Sequence, residues 1–318
     1  MAYPFEARGK RFLIGPLVAP EYAQEIIAAR GKRFLIGPRL WLMGVLNITP
    51  DSFYDGGRFF DQEKAIERAL ELASQGIDIL DLGGESSRPG SEPVSVEEEL
   101  RRVLPVIKAI RPRLKCLLSI DTYKAAVARA ALEEGVDIVN DITALRGDPE
   151  MSRVVAESQA GLILMHMKGT PKTMQLNPFY QDVISEISSF FQERMAAARD
   201  SGIKSDQIIL DPGIGFGKRL EDNLRLINEL DSFLFLGRPL LVGLSRKSFI
   251  GQILNLPPEE RLEGTIASAI ISLMRGASIL RVHDAQAVGR AVRVAEAILA
   301  SSPTLSRPGA SPDFRCEP

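Results

Sequence analysis

Three aspartates, two asparagines, a lysine and two histidines recur at one kind of place, the C-terminal end of a short apolar run that leads into a polar loop. They are Asn47, Asp81, Asp121, Asn140, His166, Asp211, Lys247 and His283, one from each of eight units. Asp121 and Asn140 offer a carboxylate and an amide that can read the amino and ring N–H groups of a fused heterocycle. Asp211 opens Asp-Pro-Gly-Ile-Gly-Phe-Gly-Lys and suits a ring guanidine, with glycines leaving room for it. Phe216 in that loop either stacks on the ligand or packs. The glycine spacing is not a dinucleotide fingerprint, which needs G-x-G-x-x-G. Met165 is a soft wall for a flat ring. Lys247 can bind a ring carbonyl or a carboxylate. Arg281 and His283 lie two apart in an apolar run and face the same way, which suits an anion site, with a salt-bridged rim as the structural alternative. His166, a lone histidine on an apolar strand, reads as a satisfied core residue rather than a ligand.

Two loops add to this set. After Asn47 come Asp51, Phe53, Asp55 and paired glycines, a hinged segment whose carboxylates can reach over a substrate. Asn47 itself offers an amide oxygen to a hard cation or an NH2 group to phosphate. After Asp81 come Gly83, Gly84, Glu85, Ser87, Arg88 and Pro89. The glycines free backbone amides for an anion, and Ser87 and Arg88 donate to phosphate oxygens. Structural alternatives stand beside each role: an Asx-turn for Asp51, a Glu85–Arg88 pair, and a helix N-cap for Asp121.

These residues span more than 230 positions and can share a pocket only if the fold brings the strand ends together. Apolar runs at 40–46, 77–82, 115–120, 136–140, 161–166, 207–211, 239–243 and 278–282 read as strands buried on both faces. Helical patterns fall near 61–75, 96–110, 123–134, 149–158, 180–200, 219–230, 259–275 and 284–300. Ile66, Leu70 and Ala73 show the spacing of a core-facing stripe. Strand–helix repetition implies parallel pairing with right-handed crossovers. Eight units favour an α/β chain closed into a (β/α)8 barrel, whose strand C-termini meet at one mouth.

The expected organisation is an N-terminal extension at 1–39, the barrel at 40–300 and a Pro- and Ser-rich disordered tail at 301–318. Within the extension RGKRFLIGP occurs at Arg8–Pro16 and again at Arg30–Pro38, a period of 22. Two copies make no solenoid, and a small hairpin at the barrel floor is the expectation. Of 318 residues 45% are hydrophobic and 25% charged, as in a soluble globular domain. The net charge of -2 gives no field for nucleic acid or an anionic membrane, so anion recognition must be local. Two distant cysteines argue against a disulfide framework and for a cytoplasmic enzyme. No apolar run reaches membrane-spanning length, and Glu6, Arg8, Lys10 and Arg11 do not read as a secretory signal.

MGVLNITPDSFYDGG, DLGGESSRPGS, SIDTYK, VNDIT, DPGIGFGK, GLSRKSF and RVHD occur in this order between about Leu40 and residue 300. Together they resemble the dihydropteroate synthase family of pterin-binding TIM barrels. The resemblance implies a folate-pathway transferase joining 6-hydroxymethyl-7,8-dihydropterin diphosphate to p-aminobenzoate. By position, Asp121, Asn140, Met165, Asp211, Gly243 and Lys247 would hold the pterin. Asn47, Ser87, Arg88, Arg281 and His283 would hold diphosphate, with Mg2+ at Asn47. Phe53, Pro89, Ser245 and Lys247 would shape the p-aminobenzoate site, where sulfonamides compete. Asp55, Asp121, Asp211, Lys247, Arg281 and His283 would act in catalysis through a cation-like transition state, and the assembly would be a homodimer. Ser87 stands where the family has Thr, which preserves the hydroxyl. Two alternatives are a methyltetrahydrofolate:corrinoid methyltransferase, which has no use for Arg88, Arg281 and His283 around a diphosphate, and a non-catalytic pterin binder.

Overall fold

The computed structural model describes residues 3–7, 10–14, 27–29, 32–34, 39–49, 62–87 and 90–301. Four short strands precede the barrel: β1 (Tyr3–Ala7), β2 (Lys10–Ile14), β3 (Ile27–Ala29) and β4 (Lys32–Phe34). They form two antiparallel hairpins, β1–β2 and β3–β4. Each RGKRFLIGP copy thus supplies the second strand of its own hairpin. β1 lies against the turn Ser205–Gln207.

The barrel strands are β5 (Trp41–Asn47), β6 (Ile79–Gly83), β7 (Leu117–Asp121), β8 (Ile138–Asp141), β9 (Gly161–Met165), β10 (Ile208–Asp211), β11 (Leu241–Gly243) and β12 (Ile279–Val282). Between and after them run α1 (Gln62–Ser74), α2 (Val96–Ile110), α3 (Ala125–Glu133), α4 (Met151–Ser158), α5 (Val183–Asp200), α6 (Leu220–Asn228), α7 (Ser248–Leu254), α8 (Leu262–Met274) and α9 (Ala285–Ala300). All eight strands are parallel, in the order β10-β9-β8-β7-β6-β5-β12-β11. A parallel bridge between Leu210 and Leu240 joins β11 to β10 and closes the ring.

Strand alternation splits the apolar side chains into two sets. Leu42, Leu80, Leu118, Val139, Leu162, Leu210, Val242 and Leu280 belong to the large cluster with the helices. Trp41, Met43, Ile79, Leu117, Ile138, Ile163, Ile209, Leu241 and Ile279 form a separate cluster inside the barrel. That inner plug makes the lower barrel a packed core rather than a pore.

Several strands start later than the apolar runs suggest. Asp78 and Asp137 lie within or beside those runs but remain outside the strands as defined. Instead Asp78 accepts the Leu42 N–H at 2.9 Å and Asp137 the Leu118 N–H at 3.0 Å. Arg39 and Arg111 pair with these carboxylates and neutralise their buried charge. The segment after β11 also holds α7, a helix the hydrophobic pattern did not reveal. It is only seven residues long, buries Phe249 and Ile250, and stops at left-handed Asn255.

Candidate active site

Two residues above the apolar plug, the same inward-facing column changes character on most strands, while β5 keeps Val45. Ile79 is followed at that step by Asp81, Leu117 by Ser119, Ile138 by Asn140, Ile163 by Met165, Ile209 by Asp211, Leu241 by Gly243 and Ile279 by Arg281. One further step brings Asn47, Gly83, Asp121, Ile142, Met167, Gly213, Ser245 and His283. Pairing joins Asn47, Gly83 and Asp121 in one row, and a two-residue step in register between β7 and β8 sets Asp121 opposite Asn140 of the row below. A two-residue period on eight parallel strands therefore builds a polar cup on an apolar floor.

An ion-pair cluster occupies one side of the cup. Arg281 donates Nε to Asp81 at 2.7 Å and Nη2 to Asp121 at 2.8 Å. The Asn140 amide NH2 lies 3.2 Å from the same Asp81 oxygen. Asp81 is completely buried. Its Oδ1, Asn140 Oδ1 and Ser119 Oγ are buried with no hydrogen-bond partner among the described residues. Acceptors left this way beside a charged cluster call for an explanation, and a ligand rich in N–H donors supplies one. Asp121 does not cap the next helix, because the N-cap of α3 is Lys124. Burial, reinforced by Asp81, Glu99 and Asp141, outweighs the Arg281 charge and pushes the Asp121 carboxyl up to about 7.

Asp211 stands across the ring. Burial raises its carboxyl, against the opposing pull of Lys247, the Gly213 N–H and Arg281. Its Oδ1 accepts the Gly213 N–H at 2.7 Å. Lys247 reaches back over the β10 loop, bonding Ile214 O and lying 4.6 Å above the Phe216 ring centre. Burial lowers its ammonium to about 8. Ile142, Met165, Met167 and Met174 form an apolar patch with Tyr123 and Phe216 packed on it. A slot between carboxylates, an amide, a lysine and a methionine-lined wall suits a flat, nitrogen-rich ring.

The residues expected to hold an anion are partly in view. Asn47 is half-buried, and its Oδ1 lies 3.7 Å from where a Cβ on Gly83 would sit, as does the Asp121 Cβ. Ser87 is half-buried on the β6–α2 loop. His283 binds the structure through its backbone: its N–H donates to Ser245 Oγ at 3.2 Å, and its carbonyl accepts from Arg68 at 3.1 Å. Through this bond the Ser245 hydroxyl oxygen joins the ends of β11 and β12. Glu85 pairs with Lys124 at 2.5 Å, which secures the root of its loop. Asp51, Phe53, Asp55, Arg88 and Pro89 lie outside the described residues.

His166 alternates with Met165 and Met167 and faces away from the cup. It is buried, with its ring edge-on to Phe190 at 4.8 Å and Nδ1 3.0 Å from Lys218 Nζ. Sequence reading left Asp81 without a role and overlooked Ser119, Met174 and Lys218. Ser119 and Asp81 were accessible from the two-residue period, counted on from Leu117 and Ile79.

Fold and cup together define a (β/α)8-barrel enzyme with polar and charged side chains gathered at the strand C-termini. The family profile described as "Pterin binding enzyme" matches residues 43–283. A dihydropteroate synthase of Synechocystis is 48% identical over 261 residues, covering 82% of this chain and 90% of its own length. A solved Yersinia pestis dihydropteroate synthase with a sulfonamide drug complex superposes with a TM-score of 0.81 at 41% identity, over 87% of this chain and 100% of the other. The Xanthomonas albilineans enzyme with 4-aminobenzoic acid gives a TM-score of 0.82 at 39% identity, over 95% of this chain and 100% of the other. The chain belongs to the pterin-binding enzymes and, within them, to the dihydropteroate synthase family of transferases.

Proposed function

We propose that the chain condenses 6-hydroxymethyl-7,8-dihydropterin diphosphate with p-aminobenzoate to give 7,8-dihydropteroate and pyrophosphate. The observation that carries this reading is the row of Asp81, Asn140 and Asp211 around one slot, with the orphaned Oδ1 atoms of Asp81 and Asn140 suited to ring N–H donors. In the reaction the methylene C–O bond breaks and its electron pair leaves with pyrophosphate. The amine lone pair then forms the C–N bond, and the amine releases a proton. Positive charge spreads from the methylene into the electron-rich ring, where Asp121 and Asp211 stabilise it. Arg281, whose Nη1 has no protein partner among the described residues, holds negative charge on the leaving group, with Asn47, Ser87, Arg88 and His283. The neutral arylamine is already a nucleophile, so no general base is required on it. Phe53, Pro89, Ser245 and Lys247 shape the aminobenzoate site by family position, and Asp55 acts from the loop above.

Mg2+ fits this site as an ion carried by the diphosphate. No three His, Cys, Asp or Glu side chains gather as a cage among the described residues, and Asn47 supplies one hard oxygen at the mouth. An ion that keeps waters and phosphate oxygens needs few protein ligands. When bound it would neutralise charge on the departing pyrophosphate. A homodimer is supported by the exposed apolar residues Ile271 and Met274 on α8 and Val294 and Ile298 on the adjoining α9. A cytoplasmic setting remains the expectation from two cysteines far apart in the sequence. No helix among the described residues is long and apolar enough to cross a membrane.

The deciding experiment measures pyrophosphate release from the pterin diphosphate, with and without p-aminobenzoate, across Mg2+ concentrations. Release that rises with p-aminobenzoate, yields dihydropteroate and is competed by a sulfonamide supports the synthase. Pterin binding without turnover would move the chain to the non-catalytic reading.

A further inference from the structure

Lys218 closes the Asp211–Lys218 segment but does not project from it. It is 4% exposed, and its ammonium is turned beneath the loop. Its Nζ lies 2.9 Å from Gly213 O, 3.0 Å from Phe216 O and 3.0 Å from His166 Nδ1, with His166 O at 3.4 Å. Three ammonium protons therefore meet three close acceptors from two different loops. Burial pushes the Lys218 ammonium well below the usual lysine range, while the nearby Asp211 charge draws it back up.

The loop wound around this ammonium is one that only glycine allows. Gly213, Gly215 and Gly217 all have left-handed backbones, with φ of +66°, +84° and +63°. A Cβ on Gly213 would sit 2.0 Å from His166 O, and one on Gly217 would sit 2.3 Å from Lys168 O. The β10 and β9 loops are thus pressed backbone to backbone, and Lys218 is the charged bolt between them. The loop also reaches the site: Gly213 N–H donates to Asp211, Ile214 O accepts from Lys247, and the Phe216 ring lies beneath the Lys247 ammonium, while Gly215 N–H donates to Asn223 and the Gly215 and Gly217 carbonyls accept from Gln175 and Tyr180.

We infer that Lys218 is a positioning residue for pterin recognition, holding the β10 loop so that Asp211, Lys247 and Phe216 converge on the ring. It acts through the Gly213 and Phe216 carbonyls and through His166. In this arrangement His166 accepts at Nδ1 and is the neutral Nε2–H tautomer, and burial together with the Lys218 charge depresses its pKa accordingly. The inference rests on the pterin reading above and deepens it.

The test compares pterin diphosphate and pyrophosphate binding to the full chain and to Lys218→Met, at a temperature where both are folded by circular dichroism. A positioning role predicts at least tenfold weaker binding of the pterin diphosphate and less than threefold change for pyrophosphate alone, because the anion site is built on other loops. Equal losses, or none, would overturn it and leave Lys218 a stability element. Should Lys218→Met fail to fold, the ring 15N shifts of His166 in the unmutated chain decide. A neutral Nε2–H tautomer from pH 5.5 to 8 supports the inference, and a protonated or Nδ1–H ring overturns it. Failure of the unmutated chain to bind the pterin diphosphate would instead sink the functional reading, and this inference with it.

Discussion

Arg281 and Asp81, 200 residues apart, meet at 2.7 Å through a single Nε–H···Oδ2 bond on one side of the barrel mouth. The same Asp81 oxygen takes the Asn140 NH2, so one buried carboxylate orients both a guanidinium and an amide. With its NH2 held there, the Asn140 carbonyl oxygen is left without a partner among the described residues. Replacing Asp81 with Asn keeps the size but removes the charge that orders both partners. Asp81→Asn is expected to lower kcat/KM at least tenfold, or about 1.4 kcal/mol of transition-state stabilisation. Wild-type kinetics in this variant would remove Asp81 from the site.

Arg281 bonds two carboxylates through Nε and Nη2, which leaves Nη1 for an anion. Arg281→Ala should therefore weaken pterin diphosphate binding more than binding of the free pterin alcohol. Calorimetry on both ligands separates the cases. Equal losses would mean that Arg281 serves only to hold Asp81 and Asp121.

Activity should follow a narrow bell in pH. Asp121, at about 7, must be ionised to stabilise positive charge in the ring, so kcat/KM falls as pH drops through 7. Lys247, at about 8, must be protonated, so kcat/KM also falls as pH rises through 8. Lys247→Arg should carry the alkaline limb upward, and an alkaline limb that stays in place would assign it elsewhere. Stability carries the opposite sign for Asp121. Its folded pKa lies above the ordinary carboxyl value, so its contribution is full below that value and is lost as pH rises through 7. Asp121→Asn should thus gain in melting temperature over the parent more at pH 8 than at pH 5.

The positions that carry chemistry were legible because a parallel barrel gathers strand C-termini, and each apolar run ends in a polar residue. Orientation was less legible. His166 attracts notice as one of two histidines, yet β9 points Met165 and Met167 inward and turns His166 into the space beside Phe190 and Lys218. A shift of one residue in strand phase exchanges these faces, and a continuous apolar run such as 161–165 does not mark its own phase. Lys218 was illegible for another reason. Its partners lie two to five residues back in a loop, and at His166 just past β9, which no periodicity connects.

Gly213 and Gly237 share a φ of +66°, but their surroundings differ completely. A Cβ on Gly237 would meet nothing within 4 Å, whereas one on Gly213 would collide with His166 O. Gly237→Ala should cost only the left-handed backbone penalty of about 1–2 kcal/mol, with turnover intact. Gly213→Ala pays that penalty and must also lift the β10 loop off β9, so pterin turnover should be lost at temperatures where the barrel is still folded. Denaturant melts and steady-state rates on the two variants make the comparison. Equal turnover in both would show that the loop tolerates displacement.

The duplicated segment allows a cleaner test than truncation. Tyr3, Pro4, Phe5, Glu6 and Ala7 pair with Ile14, Leu13, Phe12, Arg11 and Lys10. Deleting residues 8–29 removes one 22-residue period and joins Ala7 to Arg30, so that the second RGKRFLIGP copy follows β1 directly. The partners become Ile36, Leu35, Phe34, Arg33 and Lys32, with no change of residue type at any paired position. β1 can then keep its place against Ser205–Gln207, and the hairpin leads straight towards β5. The shortened chain should match the parent in kcat/KM, with stability within about 0.5 kcal/mol. Removing residues 1–29 deletes β1 as well, and should lower stability without altering the chemistry. If the folded Δ8–29 chain lost turnover, the second copy would have a role of its own that a repeated hairpin strand does not explain.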